Sequence, residues 1–352
     1  MEKKDILSFN YDELGASLGE LGLPRYRTAQ VYDWLHKKCV SSFDEMTNLS
    51  RDLRAKLNEN YVLFPCHIEK KLVSCYDGTV KYLFRVMDGE YLECVVMKYK
   101  YGRTICISTQ VGCKMGCAFC ASGIGGFRRN LAPSEMLGQI YTAQRDLGER
   151  ISRIVLMGMG EPLDNFDNVM KFLQLVSDER GLNIGMRHIS LSTSGIVPRI
   201  YDLLERDLQL TLSVSLHAPN DEIRSAIMPV NKSWNVEELL TACRTYAEKT
   251  SRRISFEYAM MKDVNDTPAC AEELAARLKG LLCHVNLIPA NEVAEKPHAR
   301  SSDESIRRFC AVLERNGVAV TVRRTLGSDI NASCGQLRRK QLTEDQERGD
   351  RP

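Results

Sequence analysis

The sequence predicts an α/β fold in which a small helical domain precedes a barrel of alternating strands and helices. From about residue 104 onward, strand-like runs alternate with helix-like segments, a pattern typical of a parallel sheet. The first sixty residues instead place apolar side chains at helical spacing. A chain of 352 residues is also long enough for one large domain and a small accessory one.

The N-terminal region, residues 1–62, is expected to form the small helical domain. Helical spacing of apolar residues runs over 11–21 and over 25–39, where Val31, Trp34 and Leu35 share one stripe. Gly22 and Pro24 separate the two segments. Residues 63–98 are expected to form a β-hairpin connector, because their strand-like runs are joined by Asp-Gly pairs at 77–78 and 88–89.

Residues 99–338 carry the strand–helix alternation and are expected to form the barrel. Strands are predicted over 105–108, 154–157, 188–192, 210–216, 254–259, 285–288 and 318–322, and helices over 134–147, 168–177, 236–249, 269–278 and 303–316. Polar motifs at 158–162, 192–195, 215–217 and 289–291 lie at or directly after strand ends. In barrels the active site gathers at the carboxyl ends of the strands, so these motifs are expected to share one site. The polar tail, 339–352, is expected to be disordered.

Composition restricts the environment of the chain. No run of eighteen apolar residues predicts a membrane span, and the first residues lack the apolar run of a secretory signal. Thirteen cysteines favour a reducing compartment, so a cytoplasmic location is predicted. The net charge is only +2, so any nucleic-acid contact must be local. Basic clusters occur at 98–103, 128–129, 323–324 and 338–340, although each could simply be a solvated surface.

Three cysteines within eight residues, Cys113, Cys117 and Cys120, are the most informative motif. Thiolates are the usual ligands of iron–sulfur clusters, and three of them leave one iron of a four-iron cluster open for a substrate or cofactor. Structural zinc normally takes four ligands, and no second cysteine pair or nearby histidine completes such a set. An odd triplet this tight cannot pair internally as disulfides. The spacing therefore predicts one open-site 4Fe-4S cluster.

The longer string Ser108-Thr-Gln-Val-Gly-Cys113-Lys-Met-Gly-Cys117-Ala-Phe-Cys120-Ala-Ser-Gly, with Gly126-Phe-Arg-Arg-Asn-Leu131 after it, resembles the RlmN/Cfr family of radical S-adenosylmethionine (SAM) RNA methyltransferases. The resemblance runs from about residue 23 to 336. It implies a partial, TIM-like (β/α)6 radical SAM barrel and an N-terminal domain that helps to hold RNA. It also implies that each turnover uses two SAM molecules.

The same resemblance implies a set of SAM contacts, which are Gly160, Glu161, Ser192, Ser215, Leu216, His217 and Asn291. Judged from the residues alone, the Gly-x-Gly before Glu161 could equally be a strand-end turn. A lone histidine is also more often structural than a ligand. Glu292 follows Asn291 where the family often has proline.

Two of the remaining cysteines, Cys106 and Cys334, match the catalytic cysteines of the family. The resemblance implies that Cys334 is methylated by one SAM and that a radical made from a second SAM removes hydrogen from that methyl group. The methylene radical then adds to the adenine ring, and Cys106 releases the product by forming a disulfide with Cys334. Glu93 aligns with the base of the family; its residue type alone would suit an exposed strand position. The other eight cysteines are expected to be small buried hydrophobes.

Within the family, the segment 285–293 looks most like the RlmN branch, which methylates adenosine C2 in 23S rRNA and in a subset of tRNAs. The implied partners are these RNAs and an electron donor such as flavodoxin or ferredoxin, and we expect a monomer. Flipping an adenine out of its stack favours single-stranded loops. Two alternatives stay open. One is a Cfr-type enzyme that methylates C8 of the same rRNA adenine, and the other is a non-catalytic RNA-binding iron–sulfur protein.

Overall fold

A small helical unit begins the chain in the computed structural model, which describes residues 3–63, 66–290, 298–330, 332 and 336–348. Its elements are β1 (Lys4–Asp5), α1 (Tyr11–Glu20), α2 (Tyr26–Tyr32), α3 (Arg51–Asn60) and β2 (Tyr61–Val62). Asn10 starts α1 with a capping box, in which its side chain accepts from the Glu13 N–H and the Glu13 carboxylate accepts from its own. A π-helical segment, Asp33–Lys37, continues α2. Since β1 pairs in parallel with β2, the two ends of the unit are joined.

This helical unit docks on the outer helices of the barrel through buried polar contacts. The Tyr32 hydroxyl donates to Asp178, 3.1 Å away, and the His36 Nδ1 lies 2.8 Å from the Tyr141 hydroxyl. Burial lowers the pKa of His36 to about 3, so the ring is neutral in the folded protein. The helical unit and the barrel therefore meet at an interface from which water is largely excluded.

Three antiparallel strands follow and form one end of the large sheet, namely β3 (His67–Val73), β4 (Val80–Arg85) and β5 (Tyr91–Tyr99). Gly78 and Gly89 adopt φ angles of 70° and 81° in the two connecting turns. Only glycine enters this left-handed region without steric cost, which explains why Asp-Gly pairs stand there. The predicted hairpin turns at 77–78 and 88–89 are confirmed.

The barrel elements follow in chain order. They are β6 (Gly102–Cys106), β7 (Gln110–Gly112), β8 (Phe127–Asn130), α4 (Pro133–Leu147), β9 (Ile151–Leu156), α5 (Phe166–Ser177), β10 (Ile189–Thr193), α6 (Val197–Leu204), β11 (Thr211–Ser215), α7 (Asp221–Ile227), α8 (Val236–Thr250), β12 (Ile254–Met260), α9 (Pro268–Leu278), β13 (Cys283–Pro289), α10 (Asp303–Arg315) and β14 (Val320–Val322). The helices α6 and α7 have no counterpart in the sequence prediction. Every barrel strand and helix predicted from the sequence has a counterpart in the structure.

Across the described residues, the strands of the large sheet are ordered β14-β13-β12-β11-β10-β9-β6-β5-β4-β3. Strand β6 pairs in parallel with β9 on one side and antiparallel with β5 on the other. From β9 to β14 every neighbouring pair is parallel. The order leaves β14 and β3 as separate edges, so six strand–helix units and a final strand form an open barrel. The predicted α/β fold with a partial barrel is confirmed.

Burial follows the pattern expected of a parallel sheet covered by helices. All seven residues of β12 are buried, which is typical of a strand packed on both faces. On α10 the buried residues Ile306, Phe309 and Leu313 form one stripe that faces the sheet. No helix of the described residues is both long and apolar enough to cross a membrane.

The chain after the barrel differs from the sequence expectation. Residues 336–348 form a helix, α11 (Gln336–Arg348), although disorder was expected from 339 onward. Leu337 packs against Leu83 and Tyr91 of the antiparallel sheet, and the Arg338 guanidinium donates to Glu90. Gln341 also donates to Asp345 one turn later. These contacts stabilise a helix whose polar sequence carries no apolar periodicity, which is why composition alone was misleading.

Candidate active site

One cavity of about 290 Å3 lies at the carboxyl ends of the barrel strands. Residues from four separate predicted motifs line it, namely Cys113, Cys117, Cys120, Gly160, Glu161, Ser192, Ser215 and His217. Leu216 is fully buried and is not among the residues that line the cavity. Asn291 and Cys334 lie outside the described residues. The structure therefore brings together residues that are spread over more than a hundred positions of the chain.

The loop between β7 and β8 carries Cys113, Cys117 and Cys120 and is called the cysteine loop. It is held by the hairpin of β7 and β8 and by α7. A Cβ on Gly112 would lie 1.8 Å from the Gly126 carbonyl oxygen, so only glycine allows the hairpin to close here. The Ala118 N–H donates to the Ile227 carbonyl at 2.8 Å, which fixes the loop against the end of α7. Both contacts are made by backbone, so they position the loop regardless of its side chains.

The three thiols fit a cluster better than a single ion. Burial raises the pKa of Cys113 to about 11 and that of Cys117 to about 12, so without a cation these thiols stay protonated at neutral pH. Within the described ranges, no three Cys, His, Asp or Glu side chains are close enough to hold one metal ion. Thiols that surround a cavity, rather than converge on one point, suit a larger inorganic group with several metal corners.

Glu161 joins the ends of β9 and β10. Its two carboxylate oxygens accept backbone N–H bonds from Ser194 at 2.6 Å and from Leu163 at 3.0 Å. Burial raises the pKa of this carboxyl group, while those hydrogen bonds act in the opposite direction. Because each oxygen has two lone pairs, Glu161 can still accept a bond from a ligand in the cavity.

Gly158 and Gly160 are explained by close packing of the loop after β9. A Cβ on Gly158 would lie 2.5 Å from the Ile107 carbonyl oxygen, and one on Gly160 would lie 2.6 Å from the Gln110 Cβ. Gly160 also has a φ of +103°. The turn interpretation of this motif therefore holds, and the turn itself forms part of the cavity wall.

His217 follows β11 with a left-handed φ of 57° and its ring buried. Its Nδ1 accepts the Ala259 N–H at 2.9 Å. Burial lowers the pKa of the ring to about 3, so the ring is neutral and its proton lies on Nε2. His217 therefore offers the cavity a fixed hydrogen-bond donor, and its ring packs edge-on against Phe119 of the cysteine loop at 4.8 Å between centroids.

Cys106 lies in a second cavity, of about 160 Å3, beside the first. Met157, Ile288 and Arg323 line both cavities, so they form a shared wall. The second cavity is otherwise lined by Val95, Met97, Tyr99, Cys106, Pro289, Arg324, Thr325, Leu326 and Ala332. Its wall is mixed in polarity, because Arg323, Arg324, Thr325 and the Tyr99 hydroxyl lie among apolar side chains.

Strand pairing places Glu93 on the same face of the sheet as Cys106. Cys106 pairs with Val95, and residues two apart along a strand point the same way, so Glu93 is a diagonal neighbour of Cys106. The Glu93 side chain is 1% exposed, although an exposed strand position was the alternative. Its Oε1 accepts the Arg338 backbone N–H at 2.6 Å and its Oε2 lies 3.0 Å from the Lys81 Nζ.

Three residues of the site have no role predicted from the sequence. Gln110 donates to Asp164 and accepts the Glu161 N–H, and Glu257 lines the first cavity from β12. Arg224 lies on α7, a helix missed by the sequence prediction. Each of these residues acts through tertiary contacts, whereas motifs reveal only residues that lie close along the chain.

A barrel open at one side, with three thiols at its carboxyl edge, defines the class of radical SAM enzymes. The model of the Radical SAM superfamily matches residues 107–275. The model of the ribosomal RNA large subunit methyltransferase N-terminal domain matches residues 4–63.

Similar proteins narrow the class. Probable dual-specificity RNA methyltransferases RlmN from Lachnoclostridium phytofermentans and Alkaliphilus oremlandii are 53% and 54% identical, over 96% and 97% of this chain and 95% and 99% of theirs. A radical SAM methyltransferase from Sphaerobacter thermophilus superposes with a TM-score of 0.91 at 43% identity, covering 95% of this chain and 98% of that one. The chain belongs to the RlmN family of radical SAM RNA methyltransferases. Its cofactors are therefore a 4Fe-4S cluster and SAM.

Proposed function

We propose that this enzyme methylates C2 of an adenosine in 23S rRNA and in a subset of tRNAs. One observation carries the proposal, which is that the Cys106 cavity shares a wall with the cavity of the predicted SAM contacts. A methyl group can therefore pass between a cofactor in one cavity and a base in the other over a short distance. Apolar side chains in the second cavity, such as Met97 and Leu326, suit the faces of a flipped-out adenine.

In the first cavity, Cys113, Cys117 and Cys120 would hold the cluster through their thiolates. When bound, the cluster supplies the electron that converts SAM into a radical source. Glu161 and His217 would orient SAM, the first as an acceptor and the second as a donor through Nε2. Gly160, Ser192 and Ser215 line the same cavity, and Leu216 and Asn291 complete the proposed set.

Cys334 would carry the methyl group that is transferred, and Cys106 would release the product. The described residues on both sides of Cys334 support this assignment, since Ala332 lines the Cys106 cavity and Leu337 packs on the face that carries Glu93. After the methylene carbon has bonded to the ring, the Cys106 thiolate attacks the Cys334 sulfur. A disulfide forms and the bond from sulfur to the methylene carbon breaks, with its electron pair left on the carbon. That carbon takes up a proton to become the methyl group, and the methylated RNA leaves.

Glu93 would take the ring proton that must leave before release. Its place beside Cys106 supports this role. In the described structure its carboxylate bonds to Lys81 and to the Arg338 N–H, so accepting a proton requires that these bonds rearrange.

The RNA would approach along the basic and aromatic residues near the second cavity. Arg323, Arg324 and Tyr99 line that cavity, and Tyr99 stacks on the exposed Tyr101 with a centroid separation of 5.0 Å. Cationic and aromatic side chains together suit single-stranded RNA. Residues 1–62 would hold the rest of the RNA. We further propose that a flavodoxin or ferredoxin donates electrons to a monomeric, cytoplasmic enzyme.

Anaerobic reconstitution with SAM, a reductant and an rRNA fragment tests the proposal. Mass spectrometry of the digested RNA should show 2-methyladenosine, and rRNA from a deletion strain should lack it. Detection of 8-methyladenosine instead would assign the Cfr-type reaction. RNA that binds while SAM is not consumed would point to a non-catalytic protein.

A further inference from the structure

Among the residues that the structure describes, Arg224 is the largest fully buried side chain, with 0% of its surface exposed, and it lies between the two strand ends that carry predicted SAM contacts. Its Nη2 donates to the carbonyl oxygens of Ser194 at 2.6 Å and Ser215 at 3.1 Å. Its Nε donates to the Leu216 carbonyl at 3.1 Å. The guanidinium therefore connects the ends of β10 and β11 through their backbone.

The surrounding chain is shaped to admit this guanidinium. A Cβ on Gly195 would lie 3.3 Å from the Arg224 Nη2 and 3.0 Å from the Leu239 side chain, at a φ of +104°. Glycine at this position therefore lets the arginine reach the Ser194 carbonyl. The last bond, from Nη1 to the Asn231 Oδ1 at 3.0 Å, fixes the outer edge of the guanidinium plane.

All four of these hydrogen bonds go to neutral oxygens. Burial lowers the pKa of Arg224 to about 10, which still leaves it charged at neutral pH. A buried cation is costly unless an anion lies nearby. Asp221 supplies part of the counter-charge for Arg224, but its Oδ1 already accepts hydrogen bonds from the Asn231 Nδ2 and the Val236 N–H.

A larger counter-charge is available on the cysteine loop. The helix α7 that carries Arg224 ends at Ile227, whose carbonyl accepts the Ala118 N–H directly after Cys117. Pro229 lies 3.6 Å from the Cβ position of Gly116 on the other side of that cysteine. Three thiolates around a cluster are a net negative group, and reduction by one electron makes it more negative.

We propose that Arg224 is a positioning residue with two linked effects, because it holds the two strand ends in place for SAM and stabilises the reduced cluster with its buried charge. The first effect depends on the planar fork of donors, and the second depends only on the charge. The inference rests on the proposed cofactor site and not on the choice of RNA. Lysine and glutamine separate the two effects, since lysine keeps the charge and glutamine keeps an amide donor without it.

The test uses full-length, cluster-loaded enzyme without RNA and compares Arg224→Lys and Arg224→Gln with the parent. The readouts are the midpoint potential of the cluster, from a redox titration followed by electron paramagnetic resonance, and the dissociation constant for SAM. Arg244→Met is the matched control, because Arg244 also bridges backbone carbonyls, those of Arg277 and Lys279, but on the outer surface. It should change neither value.

We expect Arg224→Gln to lower the reduced fraction of the cluster about tenfold at a fixed potential, which is roughly 59 mV for one electron. Arg224→Lys should stay within twofold of the parent in this measurement. Both variants should bind SAM at least tenfold more weakly. The proposal is overturned if glutamine leaves the potential unchanged, or if lysine lowers it as much as glutamine does.

Thermal unfolding of each variant shows whether it is folded, and an Arg224→Lys protein that does not fold also counts against a role for the charge. Neither readout involves RNA or methyl transfer. A parent enzyme that binds SAM but methylates no RNA would therefore refute the proposed function while leaving the result on Arg224 intact.

Discussion

Lys81 and Glu93 form an ion pair with 3.0 Å between Nζ and Oε2, and each side chain is 1% exposed. The two residues lie on neighbouring strands, and the Arg338 N–H at the start of α11 donates to the other carboxylate oxygen. The proposed base is thus held from one side by the sheet and from the other by the helix that follows Cys334.

Removing one partner of this pair should destabilise the protein strongly. Lys81→Met leaves the Glu93 carboxylate buried without its cation, which typically costs about 3–5 kcal/mol. Lys71→Met is the control, because its ion pair with Asp146 is partly exposed and should contribute at most about 1 kcal/mol. Urea unfolding measures both, and equal losses in the two variants would show that burial does not matter. Adding Glu93→Leu to Lys81→Met should recover much of the loss.

Each cysteine of the triplet should be required for the cluster. Cys117→Ala should purify with little iron and without the broad visible absorption of the reconstituted enzyme, because one of three thiolate ligands is missing. Cys243→Ala removes a fully buried thiol from α8, away from the triplet, and should keep its iron. Iron analysis and absorption spectra measure the outcome. A Cys117→Ala protein with full iron content would exclude this thiol as a ligand.

Cys106→Ala should trap the covalent complex with RNA. Methylation of Cys334 and attack on the ring do not need Cys106, but release does, so RNA should stay attached through Cys334. A denaturing gel should show a shifted band that ribonuclease removes. The double variant that also lacks Cys334 should show no shift.

The control for this experiment is Cys94→Ala, since Cys94 lies on β5 but belongs to the cluster of side chains on the opposite face of the sheet. It should turn over normally. Normal turnover by Cys106→Ala, with no attached RNA, would mean that another thiol performs the release.

Folding should depend on pH through two buried histidines. His36 and His217 have pKa values of about 3 in the folded protein, below the ordinary value of 6.5, so the unfolded chain binds more protons between those two values. The contribution of these two histidines to the free energy of unfolding is therefore complete above pH 6.5 and falls as the pH is lowered from there. The slope for each histidine is up to about 1.4 kcal/mol per pH unit.

Replacing His36 with phenylalanine should flatten this dependence, because one of the two groups is gone. His188→Gln should leave it unchanged, since His188 is exposed. Unfolding by urea at several pH values between 5 and 7 compares the slopes. A His36→Phe protein with the slope of the parent would place the pH dependence elsewhere.

Much of the site could be predicted because its motifs are short and lie at strand ends. Cys113, Glu161 and His217 each lie in the loop that follows a strand. The carboxyl ends of parallel strands meet at one edge of the sheet, so the loops that follow them line the same cavity. Arg224 could not be found in this way. It lies on a seven-residue helix without a repeating apolar stripe, and its partners are backbone carbonyls, which leave no mark on the sequence.

Tertiary contacts that local sequence patterns do not show also explain the two differences between prediction and structure, at Glu93 and at α11. Alternation along β5 does not reveal that a helix from the end of the chain covers its polar position. Residues 339–348 look disordered by composition, since their order depends on a surface formed by residues 83–93. Pairwise contacts across such distances are not contained in local patterns.

The contact between Glu93 and Arg338 spans 245 positions of the chain. A ribosome adds residues in order, so the sheet that carries Glu93 leaves the exit tunnel long before α11 does. Until then Leu83 and Tyr91 lack the cover that Leu337 provides. Contacts this distant along the chain are slow to close, and chains caught before closure expose apolar surface. The enzyme should therefore mature only after α11 has left the exit tunnel, and fusions that delay the emergence of α11 should yield protein that binds chaperones.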